Sequence, residues 1–306
     1  MTSQYAAGGC AWFLAAFVLL SGTFYSGSAI SQSADDIREG KVCANCHTNA
    51  PIVWAGKHGT KADGRTPIAN AGCATCHGDP TEHLKSFSNP MPRRFSKMGA
   101  DERNQVCLTC HQGGKRIHWQ GSMHATRDTT CVSCHQVHAA HDKVRDKVTQ
   151  VEVCITCHKE KRAEINRPSR HPIREAKVVC SDCHNPHGSV GPAMVVRDTV
   201  TDTCYTCHME KRGPFVRNHP PVQENCAICH NPHGTTNANL LRQRPPFLCQ
   251  ECHEPTSHRG TIPGNVSGSG VGTNRAVIMA RGCVNCHNNI HGSNNPGLTN
   301  ERAFRR

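Results

Sequence analysis

Aromatic side chains are scarce in this chain. They make up 5% of its 306 residues, and the whole apolar set only 36%. Typical globular domains hold roughly 45–50% apolar residues on a broader count that includes glycine. A chain this poor in apolar groups does not build a sizeable core from its own side chains. Long hydrophobic runs are missing as well. The apolar run Ala11–Leu20 is ten residues long, whereas a membrane-spanning helix needs about 20. Small and polar residues follow it, so the segment reads as a secretory signal peptide over 1–29, with cleavage possible as late as 34. No Lys or Arg precedes the run, which makes this an unusual leader. A lipid-anchored reading of Ala7-Gly8-Gly9-Cys10 does not fit, because the apolar run follows that cysteine. The mature chain is expected to be exported and to cross no membrane as a helix.

Cysteine and histidine, by contrast, are abundant, at 21 and 22 residues. Twenty of the cysteines fall in ten C-x-x-C-H motifs. The motifs are Cys43, Cys46 and His47; Cys73, Cys76 and His77; Cys107, Cys110 and His111; Cys131, Cys134 and His135; and Cys154, Cys157 and His158. They continue with Cys180, Cys183 and His184; Cys204, Cys207 and His208; Cys226, Cys229 and His230; Cys249, Cys252 and His253; and Cys283, Cys286 and His287. This is the attachment signature of a c-type haem. Residues at i, i+3 and i+4 share one face of a helical turn. Two thiols can therefore reach the vinyl groups of one porphyrin while the adjacent imidazole reaches its iron. Structural zinc or disulfides would suit an isolated C-x-x-C pair. Ten motifs, each closed by a histidine and leaving no cysteine over after the leader, point to ten covalently bound haem c groups. The porphyrins supply the apolar surface that the side chains lack.

From Cys107 to Cys249 the first cysteines recur every 22 to 26 residues, with flanking gaps of 30 and 34. Repeats of that length form elongated arrays. The spare histidines recur too. After odd-numbered motifs come His58, His124, His171, His219 and His258, and after even-numbered motifs His83, His138, His187, His233 and His291. Ten distal candidates for ten irons predict bis-histidine ligation throughout. His118 and His141 are left over and read as surface residues or propionate partners. An iron with two protein ligands keeps no open position for substrate, so it passes electrons. A multihaem enzyme would leave one iron position free, and no C-x-x-C-K variant is present. No catalytic residue is assigned.

His187, in Cys180-Ser181-Asp182-Cys183-His184-Asn185-Pro186-His187-Gly188, follows its proximal histidine by three residues, and His138 and His233 do the same. About 10 Å of extended chain is too short to carry it round the porphyrin edge to the opposite face. It is expected to ligate a neighbouring haem, with Asn185-Pro186 and Gly188 turning the chain.

The expected fold class is a multihaem cytochrome c: mostly irregular, with short α-helices, almost no sheet and an elongated array organised by haem. Helices are predicted over Gln150–Ala163 and Thr201–Lys211, and Asp101-Glu102 lead a helix into the Cys107 motif. Ser86–Arg94 and Arg242–Pro246 read as connectors and Gly260–Asn274 as a Gly/Ser-rich loop. Residues 35–163 and 164–306 divide into two pentahaem halves. The formal charge of +12 does not argue for nucleic acid. Ionised propionates and ferric centres bring the loaded protein to about +2 oxidised and about −8 reduced.

On these motifs, including the two C-x-x-C-H-N-P-H-G units, the chain resembles the periplasmic decahaem cytochromes of the Mtr/Pio/DmsE type. Its first half is similar to the pentahaem electron donors of nitrite reductase. That likeness runs from Val42-Cys43 through Gly56-Lys57-His58, Pro80-Thr81-Glu82-His83 and His124 to His135-Gln136-Val137-His138. The resemblance implies a haem wire inserted in an outer-membrane β-barrel porin. Such a wire links a periplasmic or inner-membrane cytochrome to an extracellular multihaem cytochrome or mineral. A free periplasmic electron carrier donating to a reductase is the alternative, followed by a multihaem enzyme and a cytochrome filament.

Overall fold

The computed structural model describes residues 36, 40–253, 283–285 and 287–295. The proposed leader, Cys10, His258, Gly260–Asn274, Cys286 and the basic tail Glu301–Arg306 lie outside the described residues. Short helices and irregular chain make up the rest. The longest helices, Ala100–Leu108 and Lys147–Ile155, have nine residues each. Among the described residues sheet is reduced to four isolated bridges, such as His184 with Val195 and His230 with Leu241. No helix there is long and apolar enough to cross a membrane.

The helix expected over 150–163 is two helices, Lys147–Ile155 and Lys159–Glu164. The break falls at the proximal histidine, where His158 takes φ −83° and ψ 65°. The helix expected over 201–211 divides at the same point of the next odd motif. Val200–Tyr205 is α-helical, His208 leaves it with ψ 50°, and Met209–Lys211 resumes as a single 3-10 turn. The motif thus uses one helical turn and then releases the chain. Asp146 starts the first of these helices by accepting from the Val148 N–H, and Thr199 caps Val200–Tyr205 through the Asp202 N–H at 2.9 Å.

Apolar packing is thin, as the composition requires. Nine hydrophobic residues are buried among the described ones, and Val179 alone is nearly inaccessible at 1%. The one cluster of size joins Val151, Ile155, Ile165, Ile173 and Val179. It packs the helix of the fifth motif against the start of the sixth.

Buried polar side chains do the remaining stitching, in a repeated form. Asn104 accepts from the Cys131 N–H at 2.8 Å and donates to the Thr129 carbonyl at 3.1 Å. Gln150 accepts from the Ser181 N–H at 3.0 Å and donates to the Val144 carbonyl at 2.9 Å. Thr201 accepts from the Cys226 N–H at 3.3 Å. Each precedes the first cysteine of an odd motif by three or four residues and holds the entry to the following even motif. Buried groups of this kind are costly unless paired, and here the pairing joins consecutive motifs.

Two glycines at positive φ permit a close backbone approach. Gly188 has φ +103°, and a Cβ there would lie 2.3 Å from the His118 carbonyl oxygen. Gly234, at φ +141°, stands in the same relation to the Glu164 carbonyl at 2.2 Å. Only glycine satisfies both the dihedral and the space. Gly188→Ala is expected to destabilise the holoprotein by about 1–3 kcal/mol, read as a lower melting temperature by circular dichroism. An unchanged melting curve would show that this contact does not constrain the fold.

Candidate haem-binding site

Every motif closes the turn that its spacing requires. In all ten, the proximal histidine N–H donates to the carbonyl of the first cysteine, at 2.8 to 3.1 Å. In the nine motifs that are described throughout, this brings the two thiols and the imidazole onto one turn.

The distal candidates meet these turns in a fixed pattern. His58, His124, His171 and His219 face His111, His158, His208 and His253, with ring centroids 5.9, 6.1, 6.2 and 6.0 Å apart. Each belongs to an odd motif and meets the proximal histidine two motifs later. His138, His187, His233 and His291 face His77, His135, His184 and His230, at 6.0, 6.1, 5.9 and 6.1 Å. Each follows an even motif and meets the proximal histidine two motifs earlier. His83 faces His47 at 6.3 Å at the beginning of the array. A metal-bound imidazole nitrogen lies about 2 Å from its metal and the ring centre about 1 Å further, so two imidazoles on opposite sides of one ion have centroids about 6 Å apart. His258, assigned by spacing as a distal ligand, lies outside the described residues. His118 and His141 are exposed; His141 Nε2 lies 3.1 Å from Asp146.

His187 therefore does not reach the motif next to its own. Motifs five and six already touch through Cys154 and Cys180, so the imidazole three residues on arrives beyond them, at motif four. The Asn-Pro-His-Gly segment makes that reach possible. The Asn185 side chain donates to the Lys115 and Gly188 carbonyls at 2.8 and 2.6 Å and accepts from the His187 N–H at 3.3 Å. Pro186 supplies a carbonyl to His124 Nδ1 at 2.8 Å. One segment thereby positions three imidazoles, His184, His187 and His124. The second copy repeats this, with the Pro232 carbonyl accepting from His171 Nδ1 at 2.8 Å and Asn231 from the His233 N–H at 3.1 Å.

Backbone carbonyls also accept from His83, His184 and His230, through Asn89, Ala193 and Asn239, at 2.6 to 3.0 Å. A bonded Nδ1–H leaves Nε2 free for a metal, which is how ligand histidines are commonly oriented. Burial lowers the pKa of His187 and of His233 to about 4, and burial also lowers those of His58, His77, His111, His219 and His291. These imidazoles are neutral at pH 7, the form that binds metal.

The cysteines order the motifs along a line. As free thiols, Cys43 donates to Cys73, Cys107 to Cys131, Cys154 to Cys180 and Cys204 to Cys226. The shared hydrogen bond lowers the pKa of Cys73, Cys131, Cys180 and Cys226 as free thiols. Cys249 is pushed up to about 11 by burial and by Cys283. Second cysteines lie within electrostatic range of each other across the alternate junctions, as Cys134 with Cys157, Cys183 with Cys207 and Cys229 with Cys252. Thiol pairs, facing imidazoles and the thin core together fit haem c. So do the buried Nε atoms of Arg116 and Arg170, which have no hydrogen-bond partner among the protein groups and suit a haem carboxylate. Histidine pairs across position 163, such as His135 with His187, tie the two expected halves together.

Several residues that orient the ligands carry no signal in the sequence. Asp142 bonds His135 Nδ1 at 2.7 Å from seven residues away, and nothing in its surroundings marks it. The proline carbonyls could have been found, since the duplicated C-H-N-P-H-G unit implies a duplicated contact.

Comparison with known proteins agrees with these features. The doubled CXXCH motif family matches residues 171–213 and 219–258. The cytochrome c-type NrfB-like family matches 73–150, and the cytochrome c554 and c-prime family 22–78. The multiheme cytochrome MtrA of Shewanella baltica is 42% identical over 261 residues, covering 83% of this chain and 78% of that protein. The cytochrome c-type protein NrfB of Haemophilus influenzae is 26% identical over 145 residues, 39% of this chain and 64% of that protein.

Asn185→Ala removes two donated bonds and one accepted bond at the three-imidazole segment. It is expected to cost about 1–3 kcal/mol in denaturant unfolding, with Asn231→Ala similar. A loss below a few tenths of a kcal/mol would assign that role elsewhere.

Proposed function

We propose that this chain, which belongs to the multihaem c-type cytochrome family of MtrA, carries ten haem c groups with two histidines on each iron and conducts electrons along them. The observation that carries this reading is the pairing of nine proximal with nine distal imidazoles at 5.9 to 6.3 Å. The tenth pair would be His287 with His258, the two ligand candidates that remain in the sequence. Covalent haem supplies a one-electron iron couple, and bis-histidine ligation suits low potentials. Two histidines from this chain would occupy both protein-side positions of each iron and leave none open to substrate, which supports an electron carrier over an enzyme.

The linear order of motifs supports a wire. Consecutive motifs meet through their cysteines and alternate motifs through their histidines. Likeness to MtrA over most of the chain favours a wire that crosses the outer membrane inside a β-barrel porin, after export to the periplasm by the N-terminal leader. It would join a periplasmic or inner-membrane cytochrome to an extracellular multihaem cytochrome or mineral. Likeness to NrfB over 145 residues favours a second reading, a free periplasmic carrier that donates to a reductase.

Native purification from detergent-solubilised membranes separates the two. The conduit reading expects a barrel protein to co-purify, and a cytochrome recovered alone in the soluble fraction overturns it. Ligation is tested separately. His187→Ala is expected to convert one iron from low-spin to high-spin by EPR while the rest stay low-spin. Ten unchanged low-spin haems would rule out the assignment of His187.

A further inference from the structure

The pair His135–His187 differs from its neighbours on both sides of the iron it would hold. Where His83, His124, His171, His184 and His230 donate to backbone carbonyls, His135 Nδ1 donates to the Asp142 carboxylate at 2.7 Å. That carboxylate is fixed in place, its other oxygen accepting from the Gln136 N–H at 3.3 Å. Other carboxylates stand off. Glu210 lies 3.7 Å from His208 Nδ1, and Glu164 lies 3.6 Å from His233 Nδ1 while held by Lys161 at 2.9 Å. Opposite His135, the Nδ1 of His187 is buried with no hydrogen-bond partner, and its ring lies beside Trp119, centroids 6.3 Å apart. The two imidazoles are also nearly parallel, at 8°, a geometry shared with His184–His233 at 11° and His230–His291 at 14° but not with His58–His111 at 76° or His124–His158 at 65°.

We propose that Asp142 is a positioning and tuning residue that makes the haem held by His135 and His187 a low-potential step in the array. The inference rests on the bis-histidine reading. A carboxylate accepting from a ligand imidazole raises its basicity, and a charge-assisted bond is roughly twice as strong as a neutral one. His135 therefore donates more electron density to iron than a carbonyl-bonded histidine does. Greater donation stabilises the ferric over the ferrous ion, and the potential falls. The ring planes act in the same direction. Parallel imidazoles donate into one iron d orbital and lift its degeneracy with the next, which stabilises the ferric state. Crossed rings leave the two orbitals level. Arg145 on the Asp142 side and Arg116 and Lys115 on the His187 side oppose the ferric charge. They act through space, whereas Asp142 acts through a bond. Electrons crossing this point move uphill and then down, so the fourth haem stays oxidised while its neighbours are reduced.

Redox titration of the intact holoprotein, followed optically and by EPR, tests the proposal. Asp142→Asn keeps the shape and removes the charge. One of the ten haems is expected to shift its oxidised-to-reduced ratio toward reduced by about tenfold at fixed potential, ~59 mV for a one-electron couple. All irons should remain low-spin, and the g-values of one ferric signal should change. Asp142→Glu should move that component back toward the parent. His187→Ala identifies it, because the same component should become high-spin. Superimposable curves for Asp142→Asn and the parent, with His187→Ala still producing one high-spin iron, overturn the tuning role and leave the ligation intact. Ten low-spin irons in His187→Ala overturn both.

Discussion

A pair of imidazoles contributed by motifs two apart is the constraint on which the rest of this molecule depends. Each pair spans tens of residues of sequence, yet its rings stand about 6 Å apart, the gap that a metal ion between them requires. Local features serve that end. The motif turn presents the proximal ring, the Asn-Pro-His-Gly segment carries the distal one back across a neighbour, and a carbonyl or carboxylate fixes the tautomer. Side-chain packing contributes little by comparison. The chain is arranged around the spaces for its porphyrins, and its own core is a small patch between the fifth and sixth motifs.

The buried amides and the hydroxyl at Asn104, Gln150 and Thr201 extend the same logic. In a protein with an ample core, such groups are tolerated exceptions. Here they replace apolar contacts as the means of joining one motif to the next. They are satisfied on both sides or nearly so, and they tie backbone to backbone without needing much volume. Thiol pairs mark the same junctions. Nearest neighbours are thus joined by amides and sulfur, and second neighbours by imidazoles. Such layered short-range links are the mark of a quasi-one-dimensional structure.

Much of this is legible in the sequence because covalent chemistry imposes spacing. Cysteines at i and i+3 with histidine at i+4 cannot serve one porphyrin in any other arrangement, and ten repeats leave little room for chance. The near-absence of sheet among the described residues and the helical stretches follow from the same pattern. The helix ends do not, since the break at His158 and His208 is set by the release of the chain after the motif turn, and propensity there favours continuation. The partner of His187 was also out of reach. Tether length rules out its own haem, but only the three-dimensional path shows that it passes over one motif to the next. Asp142 was invisible because a lone aspartate in a charged loop has no period to betray it.

The two stretches matched by the doubled motif begin at His171 and His219, and the contacts explain why the unit is double. Each stretch closes one imidazole pair within itself, His171 with His208 and His219 with His253. Each also offers hands to its neighbours: His187 reaches back to His135, His184 receives His233 from the following unit, and His230 receives His291. The arrangement is that of a knitted row, in which every stitch is held by the one before and the one after. Such a fabric can be lengthened or shortened only by whole stitches. Removing one motif would strand two histidines and reverse the roles of every motif beyond, so the length of the motif array is quantised in pairs.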